Sequence, residues 1–347
     1  MLARRSYIMF GLRRVGQTLL TLLALATLVF IMLKSIPGDE AQVAAGLGAS
    51  DAQVEIVRER LGLNEPVPVQ YLRFLGRLVQ GDLGTSSTTY QPVVVDLSAV
   101  LPSTMELVIV AMLINLSVAI PLATLSAARR GRPTDSSLRV LAVITGGLPM
   151  FWLALMIQFI FGSLWGVLPI SGQHSFGFSA PAVTGAPSLD ALIAGDIATF
   201  WDALRHLVLP AAALATMSAS QLFRTLRAAL LGVLNSDFIV AVRAKGASGR
   251  RVLFRHGLPN GLNPAMTLAG TQFGMMIGTS VLVETVFARQ GVGSYLAFSV
   301  ANRDLYAVLG TVLFVGTVVC LVNLAVDVLL LMMDPRIRAA QIGGAET

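Results

Sequence analysis

Apolar residues along this chain gather into six long blocks, at about 15–33, 104–127, 140–162, 206–223, 265–287 and 307–333, with polar residues concentrated in the intervals. A bilayer's hydrocarbon core is about 30 Å thick and a helix rises about 1.5 Å per residue, so roughly 20 apolar residues cross it. Each block is read as a membrane span. The fourth contains Pro210, which a bundle tolerates when neighbours take up the freed carbonyl, and its helix is expected to continue past Phe223. The two-residue alternation of barrel strands is absent, so the pattern predicts an all-α bundle.

The intervals differ in character. Residues 1–14 precede the first span at 15–33. Residues 34–103 form a long structured interval in which 50–62 reads as an amphipathic helix, with Ser50 or Asp51 as N-cap and Gly62 just past its end. A second short helix follows Pro66-Val67-Pro68, with Tyr71, Leu72, Leu75 and Leu78 on one face. Residues 163–205, rich in Gly, Ser, Pro and Ala, predict a loop with a short helix near 188–194. One domain core of five spans runs over 104–338, followed by a tail at 339–347.

Composition turns the pattern into a class. The chain of 347 residues is 55% hydrophobic and 13% charged, with a mean hydropathy of +0.74. A soluble domain of this size cannot hide that much apolar surface. Net charge is +6, and most of the 25 basic residues lie before the first span, between spans two and three, between spans four and five, or after span six. The positive-inside rule then places both termini in the cytoplasm. Membrane orientation accounts for the basic balance without nucleic acid. Arg4, Arg5, Arg13 and Arg14 ahead of an apolar run resemble a signal peptide, but no small-x-small cleavage site follows, so the first span is read as uncleaved. Cys320 is the single cysteine and allows no intrachain disulfide.

Catalytic signatures are missing: there is no nucleophile elbow, no zinc-protease helix and no phosphate-binding loop. His174, His206 and His256 lack metal-ligand spacing, so neither a catalytic residue nor a metal site is assigned. The spans read as almost free of charge, with Glu284 and Asp327 as the exceptions. Both stand near span ends, and they are expected to cap or pair with neighbouring helices rather than to relay protons. In the fifth span Gly270, Gly274 and Gly278 recur every four residues, with Thr267, Thr271, Gln272, Thr279 and Ser280 among them. Small residues at that spacing admit close helix packing. They also suit a small, neutral pathway lining, so Gly270, Thr271, Gly274 and Gly278 are candidates for either role.

The segment at 235–259 stands out. Ser236 or Asp237 can cap a short helix, and Gly246 suits the position past its end. Phe238, Ile239 and Val242 cluster on one side, and Arg243 and Lys245 lie where the helix dipole favours cations. A second helix is expected from Ser248 to about Gly257, with the next span starting near Pro264. The pattern alone fits two roles, a helix docked on another protein or one lying on lipid headgroups.

The segment resembles the "EAA" loop of bacterial ABC-importer permeases: Glu-Ala-Ala, three residues, Gly, nine residues, Ile, one residue, Leu-Pro. Gly246 holds the glycine position and Leu258-Pro259 the end, while Val240-Ala241-Val242 replaces Glu-Ala-Ala and His256 replaces Ile. Asp237-Phe238-Ile239 and Arg243-Ala244-Lys245-Gly246 are similar to the D-Y-I-R-T-A-R-A-K-G of the dipeptide/oligopeptide/nickel branch. Further matches run along the chain: Pro37-Gly38-Asp39, Leu61-Gly62-Leu63 with Gln70-Tyr71, Gly81-Asp82-Leu83-Gly84, Leu168-Pro169-Ile170-Ser171-Gly172, Glu284-Thr285-Val286-Phe287 with Gly291-Val292-Gly293, and Asp334-Pro335-Arg336-Ile337-Arg338.

The resemblance implies a six-helix type I (MetI-like) permease in a bacterial inner membrane. It implies pairing with a second homologous permease, two ATPase subunits that bind ATP and Mg, and an extracytoplasmic substrate-binding protein. Asp237, Phe238, Ile239, Ala241, Val242, Arg243, Lys245, Gly246 and Ala247 would then dock the ATPase. The cargo implied is a di- or oligopeptide; a nickel chelate, glutathione or another small solute is the alternative within the class, and a solitary carrier the alternative outside it.

Overall fold

The computed structural model describes residues 2–35, 39, 41–42 and 48–333. The matches at Pro37-Gly38 and Asp334–Arg338, and the tail, lie outside them. Among the described residues the regular structure is helical: α1 (Leu2–Ser35), α2 (Asp51–Leu61), α3 (Val67–Val79), α4 (Val93–Ala128), α5 (Pro133–Gly147), α6 (Met150–Ile157), α7 (Pro187–Ile193), α8 (Ile197–Leu234), α9 (Asp237–Ala244), α10 (Leu258–Val286), α11 (Val292–Ala301) and α12 (Leu305–Met333). A π-helical stretch, Gln158–Leu164, extends α6, and another, Val252–Gly257, precedes α10.

Among the described residues five helices are long and apolar enough to span a bilayer: Gly11–Ser35, Val93–Ala128, Ile197–Leu234, Gly249–Val286 and Leu305–Val328. The single span expected at 140–162 is instead a pair, Pro133–Gly147 and Met150–Leu164, bent by 108°. The cause is local. Gly146-Gly147 weakens the helix, and Pro149 pushes Leu148 out of the α region to ψ 138°. The other spans begin earlier than their apolar blocks: α4 starts at Val93, with Pro102 inside it, and the fifth span runs unbroken from Gly249 through Pro264.

α8 is the hub, packing against α4, α5, α6, α7 and α10. Small residues fill the core it shares with α4: Ala211, Ala213 and Ala215 of α8 and Ala111, Ala119, Ala123 and Ala127 of α4 are buried in one cluster. Lipid tails are as apolar as leucine, so close backbone approach and hydrogen bonds hold such helices together. Two such bonds join three of them: Asn115 of α4 donates to Gln272 of α10 at 3.0 Å, and Gln272 donates to the Ser218 carbonyl of α8 at 3.0 Å. α1 packs at the margin, on α12 and, near its upper end, on α3, with Leu12, Leu19, Leu20 and Ile31 turned outward.

The end of the bundle that carries residues 48–92, 165–196 and 287–304 is the upper end; the opposite end carries 129–132 and 235–248. Charged struts clamp both. At the top, buried Glu284 accepts from Thr104 Oγ1 (2.7 Å) and from the Gly293 and Ser294 amides (2.7 and 3.2 Å), capping α11. At the bottom, Arg14 of α1 pairs with Asp327 of α12 at 3.2 Å. Both acids cap or pair, the roles their span-end positions suggest. They are not the only acids in the spans, however. Glu106 of α4 accepts from Arg289 at 2.5 Å, and Arg289 is 1% exposed.

Candidate functional site

At the lower end α8 stops at Leu234, and Ser236 opens α9 from the N-cap position, its hydroxyl donating to the Val233 carbonyl at 2.6 Å. The far end of α9 closes in a Schellman motif. The Gly246 amide donates to Arg243 O (2.9 Å) and the Ala247 amide to Val242 O (3.4 Å), with Gly246 at φ +80°. A residue with a Cβ is strained at that φ, so the glycine sets the turn into the next helix. Ser248 caps that helix by accepting from the Arg251 amide at 3.4 Å.

The next segment is π-helical, and Pro259 supplies the reason. It has no N–H to give the turn before it. Its absence leaves the Arg255 or Phe254 carbonyl without its helical donor, and one residue on, Asn260 Nδ2 donates to the His256 carbonyl at 2.7 Å. Two glycines lock this segment to α8: a Cβ on Gly257 would sit 3.1 Å from Leu234 Cδ2, and one on Gly261 would sit 2.8 Å from Leu230 Cδ2. The whole unit is therefore braced on α8 and α10.

The residues of α9 face different ways. Phe238 is 43% exposed and Val240 is 59% exposed, and Asp237, Ala241, Arg243 and Lys245 are also exposed. Val242 and Ala247 are half-buried. Ile239 is fully buried within its own chain, so it cannot seat in a partner; the expected grouping of Phe238 with Ile239 fails because adjacent helical residues point to different sides. Beside α9 the exposed Arg250, Arg251, Phe254 and Arg255 line an open cleft of about 390 Å³. The lower end thus offers Phe238, Val240 and Phe254 with Arg243, Lys245, Arg250, Arg251 and Arg255. Val240 and Phe254 escaped the sequence reading, although the reach of the basic run past Lys245 hinted at a larger patch.

α10 presents two faces. Gly274 is buried, and a Cβ there would meet Asn323 Oδ1 of α12 at 2.5 Å. Gly270 is half-buried. Thr267, Thr271, Met275, Gly278, Thr279, Leu282 and Thr285 are exposed. The threonine hydroxyls turn back on their own helix, Thr271 to the Leu268 carbonyl at 2.8 Å and Thr279 to Met275 at 3.0 Å. The glycine repeat therefore divides: Gly274 is a packing contact, while Thr271 and Gly278 lie on the open face.

Residues 119–339 match the family described as the inner membrane component of binding-protein-dependent transport systems, and residues 7–115 match the N-terminal model of such a component. The chain belongs to that family. It is 40% identical to the probable D,D-dipeptide transport system permease protein of Escherichia coli, over 92% of this chain and 94% of the relative. It is 35% identical to the dipeptide permease protein of Alkalihalophilus pseudofirmus (95% and 99% covered) and 36% identical to the di/tripeptide permease protein of Pseudomonas aeruginosa (95% and 98%). A transport permease component is not a catalytic subunit. Among the described residues no group of three or more His, Cys, Asp or Glu is placed to hold a metal.

Proposed function

We propose that this chain forms half of the membrane pathway of an ATP-driven importer of short peptides, paired with a second permease. A binding protein delivers cargo at the upper end, outside the cell, and two ATPases act at the lower end, in the cytoplasm. The observation that carries the reading is the lower patch, an exposed phenylalanine on the same short helix as Arg243 beside the arginine-lined cleft at Phe254, in a unit that Gly257 and Gly261 brace against α8. It belongs to a chain whose near full-length relatives are named as dipeptide permeases. ATP and Mg belong to the ATPases. Their movement would reach α8 and α10 through α9, with Phe238 as the apolar anchor and Arg243 and Lys245 pairing with acids around it.

The face of α10 holding Thr271, Met275, Gly278 and Thr279 suits the pathway. It is neutral, and its hydroxyls already have acceptors, so it makes no strong demand on the side chains passing by. Selectivity then rests with the binding protein. The test is co-purification and uptake. An interfacial aromatic anchor typically contributes 2 kcal/mol or more, so Phe238→Ala is expected to weaken ATPase association about 30-fold and to abolish uptake of a labelled dipeptide. Unchanged co-purification and uptake would refute the docking role. Uptake of a nickel chelate or glutathione, with none of a dipeptide, would refute the cargo.

A further inference from the structure

Helix α3 lies outside the docking unit and the α10 face. The residues of α3 sort into three stripes. Tyr71, Phe74, Leu75 and Leu78 pack toward α1 and α12. Gln70, Arg73 and Arg77 form a narrow polar stripe. Val69, Leu72, Gly76 and Val79 form a third, and it is bare: Leu72 is 67% exposed and Val79 is 89% exposed. A surface helix in water buries one apolar stripe and turns polar residues outward; this one is apolar over both faces that flank its polar line.

Its depth explains the excess. Thr27 Oγ1 meets Tyr71 OH at 2.7 Å, the Phe30 ring lies 5.2 Å from Tyr71 and 5.5 Å from Phe74, and Lys34 donates to Gln70. From Thr27 to Lys34 is about 10 Å along α1, and those are the last turns of a span ending at Ser35. α3 therefore rests against membrane-spanning helix, at the boundary between acyl chains and headgroups, and its bare stripe continues the lipid-facing surface of α1. At this boundary lies a cleft of about 40 Å³, lined by Lys34 and Arg77 above Phe30, Leu33 and Leu313. It has room for a few waters or one compact oxyanion. Asp82 is also on the rim, with Oδ1 engaged by the Gly84 amide at 2.9 Å. Arg73 is committed to Glu65.

We propose that α3 is an interfacial helix bedded in the upper leaflet, and that the cleft between it and α1 holds the phosphate of a phospholipid headgroup, with Lys34 and Arg77 as its ligands. The lipid's acyl chains would run down the apolar wall below. Each cation near a leaflet surface contributes about 1 kcal/mol toward anionic lipid, about fivefold in preference.

The test uses the full chain with its partner subunits in nanodiscs of phosphatidylethanolamine and phosphatidylglycerol. A spin label on Leu72→Cys, in a Cys320→Ala background, should collide with oxygen more than with a water-soluble nickel chelate; the reverse order would overturn the interfacial placement and point to a protein cover or open water. Native mass spectrometry should find phosphatidylglycerol retained on the complex. Retention should fall about fivefold in Arg77→Gln, fall further in Lys34→Gln/Arg77→Gln, and be kept in Arg77→Lys. Equal retention in all four, or displacement of the lipid by added inorganic phosphate alone, would overturn the headgroup site.

Discussion

Arg289 carries the most exacting electrostatics in the chain. Its guanidinium is 1% exposed, it has one carboxylate, Glu106, at 2.5 Å, and its Nε and Nη1 have no hydrogen-bond partner. Burial pushes its pKa down and the Glu106 charge holds it up. Removing one partner of a buried pair leaves the other charge uncompensated, at a cost of about 3–5 kcal/mol. Glu106→Gln is therefore expected to lower the thermal midpoint markedly in detergent, and adding Arg289→Met should recover part of the loss, because the orphan charge is then gone. A double variant less stable than the single one would contradict this. His174 stands nearby on the upper loop. Burial, with His206 and the Arg289 charge close by, pushes its pKa below the usual 6.5 against the pull of Asp202 and Glu106. A histidine with a lowered folded pKa binds fewer protons than when unfolded, so stability rises with pH. The neutral form's full contribution is present above about 6.5 and is lost as pH falls below it. His174→Gln should flatten the acid side of the midpoint-versus-pH curve, and an unchanged slope would remove His174 from the account.

The two faces of helix α10 respond in opposite ways to similar changes. Gly274→Leu places a side chain where Asn323 already stands, so it should cost the α10–α12 contact and the yield of assembled complex. Gly278 has nothing within 4 Å of a built Cβ; Gly278→Leu should assemble normally and slow uptake. Size-exclusion yield separates the two, and equal yields would refute the division. Hydropathy and spacing revealed that this helix exists and that its small residues matter, but a four-residue repeat drifts around a helix and cannot say which glycine meets a neighbour. The third span shows a related limit. Composition marks 140–162 as apolar, yet direction is set by Gly146-Gly147 and Leu148-Pro149, a signal present in the sequence and outweighed by the length of the run. The fully buried Ile239, the Glu106–Arg289 pair and the approach of His174 to His206 depend on contacts between distant segments, which no local pattern encodes. The caps at Ser50, Gly62 and Gly246 were legible because they act within a few residues.

Across the whole molecule, α9 follows α8 directly and leads through the π-helical stretch into α10, and Arg227 ties α8 to its neighbours by a charged contact. Asp135, at the start of α5, is 1% exposed and accepts from Arg227 Nη2 and Nε of α8 at 2.8 Å each and from Ser126 of α4 at 2.6 Å. Arg227 lies seven residues before the end of α8, about 10 Å above it. The bidentate geometry resists rotation as well as separation, so the pair holds α4, α5 and α8 together as one body, and the proposed coupling from α9 would move them as a unit. Loosening it should leave ATPase docking intact, since no docking residue is touched, and should break the transfer of motion. Arg227→Gln is expected to keep ATPase co-purification and ATP hydrolysis while uptake per ATP falls; the exchange Asp135→Arg/Arg227→Asp should restore part of it by remaking the pair. Loss of assembly in Arg227→Gln would mark the pair as a folding contact, and unchanged uptake per ATP would show that motion passes from α9 by way of α10 alone.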